Sequence, residues 1–413
     1  MKKIELLSPA GDLERLKVAF AYGADAVYMG GKSLGMRAKA KNFDMSEIKE
    51  AVDYAHSIGK KVFITANIYA HNEDLEGAQD YFKALYQLGV DALIVADMGL
   101  FALAKQAVPN MEIHISTQAN NTNYASVGMW KQLGAHRVVL ARELSMTEIK
   151  EISTKQPEVE LEAFVHGATC MAYSGRCLLS NFMNGRSANK GECAQPCRWD
   201  YTIIEKGSGT EMRLEEDERG TRIMNTKDMC MIEHIPDLVA SGIFSFKIEG
   251  RMKTAYYVGA VTKAYREAID DYMADPALYA KKIPYYMNEI NKVTNRAYTT
   301  AFYYGKASDE AHNYQGREYR GNYEFVAIVE DYDAKTGFAM IEQRYKFEVG
   351  DTIEILRHHG ENVTQVVESL FNEEGEAVNA APHPKQKLRV KVDVPVQRYD
   401  ILRTVKVEVS QEV

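Results

Sequence analysis

The amino-terminal half of the chain alternates short apolar runs with longer amphipathic segments. Several of the runs are β-branched, which is typical of strands buried on both faces of a parallel sheet. Apolar residues between the runs recur at helical spacing, as Ile48, Val52 and Ala55 do. The predicted strands are IELL (4–7), AVYM (26–29), VFITA (62–66), ALIVA (92–96), EIHIS (112–116), RVVLA (137–141) and LEAFV (161–165).

Seven strand–helix units in a row are too many for most doubly wound halves and suit a (β/α)8 barrel. FSFKI (244–248) is the predicted eighth strand. It comes after a stretch, 228–241, for which we predict a helix, and it precedes a helix that begins near Lys253. We therefore predict an α/β fold with a TIM-like barrel over residues 1–275.

Polar residues mark the expected ends of several helices. Asp12 and Ser46 are predicted N-caps, because their side chains can accept hydrogen bonds from the first turn. Ser145 with Glu148 forms a capping-box pattern. Gly23 comes after an amphipathic segment and is predicted to end that helix.

An insertion and a separate carboxyl-terminal part complete the predicted organisation. Residues 167–225 separate strands seven and eight, and insertions of this length are commonly functional. Residues 276–315 are rich in Tyr and Asn and are predicted to form a connector that wraps the first domain. Residues 316–413 show period-two patterns between Gly, Asp and Asn turns, which predict a small all-β barrel domain.

The composition is that of a globular protein, with 46% hydrophobic and 26% charged residues among 413. The net charge of -8 argues against non-specific coating of nucleic acid and leaves room for a local basic patch. The amino terminus lacks a secretory signal, and no stretch reaches the roughly 18 apolar residues that a membrane span needs. We therefore predict a cytoplasmic protein with no membrane partner, in which the five cysteines form no structural disulfides.

Four cysteines fall within one short stretch of the insertion, with the spacing C-x6-C-x15-C-x3-C. They are Cys170, Cys177, Cys193 and Cys197. Soft thiolates at one site suit zinc or an iron–sulfur cluster. The C-x2-C and C-x4-C spacings of structural zinc sites are missing from the chain, which favours iron–sulfur. Zinc stays open as an alternative, as do four unrelated small apolar side chains.

Further candidates lie just beyond the ends of the predicted strands, where a barrel places its chemistry. Arginine and lysine at this rim indicate an anionic ligand, a carboxylate or a phosphate. The glutamates could act as general bases or orient the arginines, and a histidine could shuttle protons or pack beside the site. The predicted catalytic residues are Glu143, His166 and Glu249, and the predicted substrate-binding residues are Gln118, Arg142, Arg176, Arg198, Lys247 and Arg251.

Several short motifs along the chain are characteristic when taken together. They are EAFVHGATCMAYSGRCLLS (162–180), CAQPCRW (193–199), KIEGRMK (247–253), SPAG (8–11) and GADAVYMGG (23–31). With these motifs the chain resembles peptidase family U32, and the stretch 162–180 is similar to the signature of that family. The resemblance covers essentially the whole chain, including the carboxyl-terminal β domain.

The resemblance implies a function that spacing alone does not give. Several members look like oxygen-independent hydroxylases, and this chain is most similar to the group that converts tRNA wobble uridine to 5-hydroxyuridine. The resemblance also implies prephenate as co-substrate, tRNA as partner and an iron–sulfur cluster, expected to be 4Fe-4S, on the four cysteines. Whether a partner subunit of the same family is needed stays open.

Two other functions remain as alternatives at this stage. The family name records a collagenase-type peptidase, although the sequence offers no recognisable nucleophile–base pair. A non-catalytic RNA-binding protein with a structural zinc would also use four cysteines. Iron with labile sulfide in the purified protein would favour the hydroxylase over both.

Overall fold

The computed structural model describes residues 3–35, 42–170, 173–174, 176–189, 192–198, 203–204, 211–212, 216–217, 220–221, 227–305 and 320–405. Its strands up to residue 299 are β1 (Glu5–Pro9), β2 (Ala26–Gly30), β3 (Lys61–Ala66), β4 (Ala92–Val95), β5 (Glu112–Ile115), β6 (Arg137–Val139), β7 (Glu160–Gly167), β8 (Ile203–Ile204), β9 (Glu211–Met212), β10 (Glu216–Asp217), β11 (Gly220–Thr221), β12 (Asp228–Cys230), β13 (Ser245–Ile248) and β14 (Tyr298–Thr299).

Helices follow or precede most of these strands. They are α1 (Leu13–Ala21), α2 (Met45–Ser57), α3 (Asn72–Leu75), α4 (Ala78–Gln87), α5 (Met98–Ala107), α6 (Tyr124–Gln132), α7 (Met146–Lys155), α8 (Leu179–Asn184), α9 (Ile235–Ala240), α10 (Ala255–Ala274) and α11 (Pro276–Lys292), with 3-10 turns at Thr117–Ala119, Pro196–Arg198 and Ile232–His234. None of the helices in the described ranges has both the length and the apolar character that crossing a bilayer requires.

Eight parallel strands close into the predicted barrel. Strands β1 to β7 pair in sequence order, and β13 pairs in parallel with both β7 and β1, which completes the ring. Each of the eight apolar runs identified in the sequence overlaps one of these strands, with ends that differ by at most two residues in the runs that extend past a strand. The prediction of a (β/α)8 barrel is therefore confirmed.

Some local predictions are confirmed and others are wrong. Asp12 and Ser145 are N-caps, and Gly23 lies just after α1 with a φ of 101°, a conformation that favours glycine. Ser46 is not the N-cap of α2, because the carboxylate of Asp44 accepts hydrogen bonds from the first turn instead.

The predicted helix at 228–241 is only partly correct. Residues 228–230 form β12, which pairs antiparallel with β7 outside the ring of eight, and the α-helix begins only at Ile235. The two-residue strand β14, which follows α11, pairs with β12. The segment after α11 therefore returns to the barrel. Most of the predicted hairpin around 205–220 lies outside the described residues.

The barrel interior combines an apolar layer with buried charges. Leu7, Ala26, Tyr28, Phe63, Ala92 and Ile94 form a buried cluster, as expected of a packed barrel rather than a pore. Nearer the amino-terminal ends of the strands, Arg137 pairs with Glu5 at 2.5 Å and with Glu162 at 3.0 Å. Lys247 pairs with Glu162 at 2.7 Å, so this buried carboxylate has two cationic partners.

The carboxyl-terminal domain is all-β, as predicted. Its strands are β15 (Tyr323–Asp333), β16 (Phe338–Gln343), β17 (Phe347–Glu348), β18 (Thr352–Leu356), β19 (Val363–Val366), β20 (Leu370–Phe371), β21 (Ala377–Val378), β22 (Ala380–Ala381), β23 (Lys387–Lys391) and β24 (Ile401–Val405). Eight of them form an antiparallel sheet in the order β19-β18-β24-β15-β16-β23-β20-β21. Between residues 320 and 405, no pairing joins its two edge strands, so the observed form is a sheet rather than a closed barrel.

Buried polar contacts join the two domains. The guanidinium of Arg403 on β24 is fully buried and lies 2.6 Å from Glu289 of α11 and 2.9 Å from Glu354. The hydroxyl of Tyr22, the residue directly after α1, donates to the carbonyl of Leu356 at 2.7 Å. Such directional contacts fix the orientation of the β domain on the barrel.

Candidate functional site

Arg142 stands at the carboxyl-terminal end of the barrel, just after β6. Its guanidinium donates to the carbonyl of Ala168 at 2.7 Å and lies 3.5 Å from the carboxylate of Glu249. It also stacks 3.8 Å from the centre of the Phe164 ring. The ring and the two acceptors hold the arginine in one place at the rim.

A small cleft opens beside this arginine. It is lined by Arg142, Glu143, Thr169, Cys170, Ser174 and Phe302. The sequence placed Cys170 beyond the end of strand seven, and the structure brings it into one cleft with Arg142 and Glu143. Phe302 comes from the segment after β14, so the return of the chain to the barrel closes one side of the cleft.

The electrostatics of the cleft suit an anionic ligand. The Nε of Arg142 is buried, and within the described residues it has no hydrogen-bond partner. A buried donor of this kind is costly unless something accepts from it. Burial raises the pKa of Glu143, although Arg142 opposes the shift, so this carboxyl group holds its proton to a higher pH than usual.

The insertion is fastened across the mouth of the barrel by side chains of two neighbouring loops. The amide of Gln118 donates to the hydroxyl of Ser174 at 2.7 Å. Asn189 accepts from the backbone N–H of Tyr69 at 2.8 Å and donates to its carbonyl at 3.0 Å. Arg176 lies 4.7 Å from the centre of the Tyr69 ring. These contacts hold both halves of the cysteine-bearing stretch against the strand ends.

None of the four cysteines of the insertion forms a disulfide. Cys170 and Cys193 are exposed, whereas Cys177 and Cys197 are half-buried. As placed, no group of three or more His, Cys, Asp or Glu in the described ranges is close enough to hold a metal. Residues 171, 172, 175, 190 and 191, which lie between these cysteines, are outside those ranges. The metal-ligand set therefore stays a prediction that rests on donor chemistry.

Helix α8 packs against the second pair of cysteines. The hydroxyl of Ser180 on α8 accepts from the N–H of Ala194 at 3.0 Å. The N–H of Gln195 donates to the Sγ of Cys193 at 3.3 Å. Backbone N–H groups directed at sulfur stabilise a thiolate, as they do around thiolate-ligated clusters.

His166 is enclosed by tyrosine rings. Its ring lies 5.3 to 6.0 Å from those of Tyr257, Tyr265 and Tyr298, and Nδ1 is 3.4 Å from the hydroxyl of Tyr265. Burial lowers its pKa to about 3, so the imidazole is neutral at physiological pH. Its Nε2 has no partner within the described part of the chain. The structure favours a packed neutral histidine, and a proton-shuttle role stays a prediction.

Lys247 and Arg251 differ from the sequence-based picture of free cations at the rim. Lys247 is buried within the barrel, where Glu162 neutralises it. Arg251 is 5% exposed and donates to Thr65 at 3.2 Å and to Asn42 at 2.9 Å. A Cβ at Gly30 would lie 2.7 Å from this guanidinium, so the arginine needs glycine there.

The remaining candidate residues also differ in how exposed they are and in which residues they contact. Arg176 is exposed on the insertion, Gln118 is buried beneath it, and Glu249 is held by Arg142. The backbone of Arg198 lies in a 3-10 turn, and its side chain is outside the described residues. Sequence reasoning missed Tyr69, Asn189 and Phe302, because only the first polar residues after each strand served as a signal.

Known proteins align with the chain along most of its length. The profile of peptidase family U32 matches residues 11–313, and that of the family's C-terminal domain matches residues 321–403. The tRNA hydroxylation protein P1 of Bacillus subtilis (strain 168) is 42% identical over 402 residues, covering 97% of this chain and 95% of that protein.

Two proteins of Escherichia coli (strain K12) are also similar. Its tRNA hydroxylation protein P is 37% identical over 423 residues, covering 92% of each chain. Its 23S rRNA 5-hydroxycytidine synthase is 40% identical over 268 residues, covering 65% of this chain and 39% of that protein. The family match spans well over half of the sequence, so this chain belongs to peptidase family U32.

Proposed function

We propose that this chain is an RNA-modifying enzyme that hydroxylates tRNA, replacing C5–H of the wobble uridine by C5–OH. The observation that carries the proposal is the cysteine-bearing insertion, fastened over the barrel mouth beside Arg142 and Glu143. It occurs in a chain that aligns over 97% of its length with a tRNA hydroxylation protein. A relative named for 5-hydroxycytidine in ribosomal RNA supports the same reaction type on a different nucleic acid.

In this proposal Cys170, Cys177, Cys193 and Cys197 hold an iron–sulfur cluster, of the 4Fe-4S type. The donor set fits in number and softness, and none of the four thiols is used in a disulfide. No three of the four sulfurs lie close enough together in the described residues to hold one metal, so the ligand set rests on donor chemistry. The cluster would supply redox chemistry, which amino-acid side chains do not provide.

Arg142 would bind a carboxylate of prephenate, the proposed co-substrate. Its Nε is a buried donor without a partner in the described residues, and it borders the cleft that contains Cys170. A planar guanidinium held on Phe164 recognises a carboxylate with fixed geometry. Arg176, which is exposed on the insertion, is available for a second carboxylate or an RNA phosphate.

Glu143 would handle a proton in the same cleft. Its raised pKa makes it a better proton donor near neutral pH than an exposed glutamate. Glu249, paired with Arg142, would orient that arginine instead. The β domain, fixed to the barrel through Arg403, would offer tRNA a second surface of constant orientation.

The test is mass spectrometry of tRNA nucleosides from a strain that lacks the gene. We expect 5-hydroxyuridine and its derivatives to disappear at the wobble position and to return with the wild-type gene. A Cys170→Ala copy should not restore them. Unchanged nucleosides in the deletion strain would refute the proposal.

A second measurement separates the competing functions. The protein purified anaerobically should contain iron and labile sulfide and show cluster absorption. One equivalent of zinc without iron would favour a structural site in an RNA-binding protein. Peptide cleavage that survives chelation and is lost with a Glu143→Gln substitution would favour the peptidase that the family name records.

A further inference from the structure

Helix α8 presents large apolar side chains to solvent. Phe182 is 90% exposed and Leu178 is 76% exposed. The two are one turn apart, since the N–H of Phe182 donates to the carbonyl of Leu178 at 2.9 Å, so they share one face. A nearly fully exposed phenylalanine contributes little to the core, and contiguous exposed apolar side chains can mark a binding surface.

This apolar face belongs to a well-anchored part of the insertion. Helix α8 comes directly after Cys177, and its Ser180 is bonded to the segment that carries Cys193. The flanking residues Arg176 and Asn189 are both held against Tyr69. Phe182 is therefore displayed at a fixed place between the two pairs of cysteines.

The surrounding charge is opposite to that of the whole protein. The stretch 168–198 contains four basic residues and a single acidic one, Glu192, whereas the full chain has a net charge of -8. Arg176, two positions before Leu178, is exposed, and an exposed aromatic ring close in sequence to an exposed arginine suits a single-stranded nucleic acid, whose base faces and phosphates the two can engage. Tyr173 and Met183 are 47% and 42% exposed in the same stretch, and even with them the apolar area falls short of the roughly 800 Å² that each partner of a stable protein interface buries.

We propose that Phe182, with Leu178 beside it, is a stacking platform for an unpaired base of the RNA substrate. The proposal rests on the proposed function and deepens it, because it names a residue of the cysteine-bearing insertion that binds a nucleotide of the substrate. The base would lie flat on the ring, and Arg176 would contact the neighbouring phosphate. Phe182 is thus a positioning residue, and it acts through binding rather than chemistry.

Binding is measured with the full-length, anaerobically purified protein and a fluorescent anticodon stem–loop that carries unmodified uridine. We expect Phe182→Ala to weaken binding by roughly 10- to 100-fold, the range for loss of one base–aromatic stack. Phe182→Tyr should bind like the wild type, because it keeps the ring. Phe182→Leu should behave like Phe182→Ala, because it keeps apolar area but has no π-face.

Salt dependence provides a readout that misfolding would not imitate. Phe182→Ala should leave the slope of log K against log salt unchanged, whereas Arg176→Ala should reduce its magnitude by about 0.7, the value for one phosphate of a single strand. Tyr86→Ala, at an exposed aromatic on the outer helix α4, is the matched control and should bind like the wild type.

Three results of the binding measurements would overturn the stacking proposal. The first is a Phe182→Ala protein that binds the RNA as tightly as the wild type, and the second is a Phe182→Leu protein that does so. The third is a Phe182→Ala protein that loses self-association but keeps its affinity for RNA. Failure of the proposed function is distinguishable, because it would show as unchanged tRNA nucleosides when the whole gene is deleted. If the wild-type gene restores 5-hydroxyuridine and Phe182→Ala restores it equally, only the stacking proposal is refuted.

Discussion

Replacing Lys247 by methionine tests whether this lysine supports the barrel or binds substrate. Its Nζ lies 2.7 Å from the carboxylate of Glu162, and the two side chains are 5% and 0% exposed. Burial alone would raise the pKa of Glu162, but Lys247 and Arg137 outweigh it and lower the pKa to about 2. The structure therefore predicts a stabilising role for Lys247.

The pKa of Glu162 sets the size of the effect. A carboxyl group whose pKa falls from 4.5 to about 2 adds about 3 kcal/mol to the free energy of unfolding at neutral pH. In Lys247→Met the carboxylate keeps Arg137 at 3.0 Å as its remaining strong cationic partner. We expect a loss of about 2–3 kcal/mol, at or just below the lower limit of what removing one partner of a buried pair costs, because Arg137 remains.

The effect should depend on pH in a definite direction. Because the folded pKa of Glu162 is lowered, its contribution is complete above the unfolded pKa and is lost as the pH falls toward the folded value. In Lys247→Met the folded pKa is higher, so the loss begins at higher pH. The difference in stability between wild type and variant should therefore shrink in acid.

Urea unfolding followed by far-ultraviolet circular dichroism, at neutral pH and in acid, measures this. Lys49→Met is the control, since Lys49 pairs with Asp53 on the exposed surface of α2 and should cost at most about 1 kcal/mol. If Lys247→Met kept full stability and the same pH profile but lost tRNA modification, the lysine would be a substrate ligand and the structural reasoning would be wrong.

Three further predictions concern the domain junction, the cysteines and the cleft. Arg403→Met should destabilise the junction by about 3–5 kcal/mol, because it leaves Glu354 short of its buried partner; an unchanged urea midpoint would contradict this. The Cys230→Ala protein should keep its iron, because the thiol of Cys230 is buried and its pKa is raised to about 12, whereas the Cys170→Ala protein should lose its iron. Equal loss of iron from both variants would count against the proposed ligand set. Arg142→Lys should raise the KM for prephenate by roughly 10-fold or more, since lysine lacks the Nε donor; steady-state kinetics that match the wild type would exclude a direct carboxylate contact.

The barrel could be predicted because each strand is a short apolar run and the runs repeat with helices between them. The rule that barrel chemistry lies at the carboxyl-terminal strand ends then placed Cys170 beside Arg142, as the structure does. Caps with a single candidate, such as Asp12, were equally clear. The local sequence pattern was sufficient to predict a strand or a helix cap wherever only one residue or run of the required type was present.

Orientation and long-range contacts could not be predicted in the same way. Lys247 lies inside the predicted strand 244–248, and no local signal tells how deep in the barrel a charged side chain lies, so its burial could not be predicted, and its substrate-binding role stays a prediction. Asp44 and Ser46 are both good N-cap types, and only the backbone geometry decides between them. The pairing of Tyr69 with Asn189 joins residues 120 positions apart and has no local signal.

The filled barrel interior has a consequence for the order of events in catalysis. Tyr28, Phe63 and the Lys247–Glu162 pair close the centre of the barrel, so the cleft beside Cys170 has no route through it. With a nucleic acid lying across the insertion as proposed, the small carboxylate would have to enter first, and its product could leave only after the RNA. Steady-state kinetics should then show a compulsory order in which the co-substrate binds before the RNA. RNA that binds first should inhibit the enzyme competitively with respect to the co-substrate.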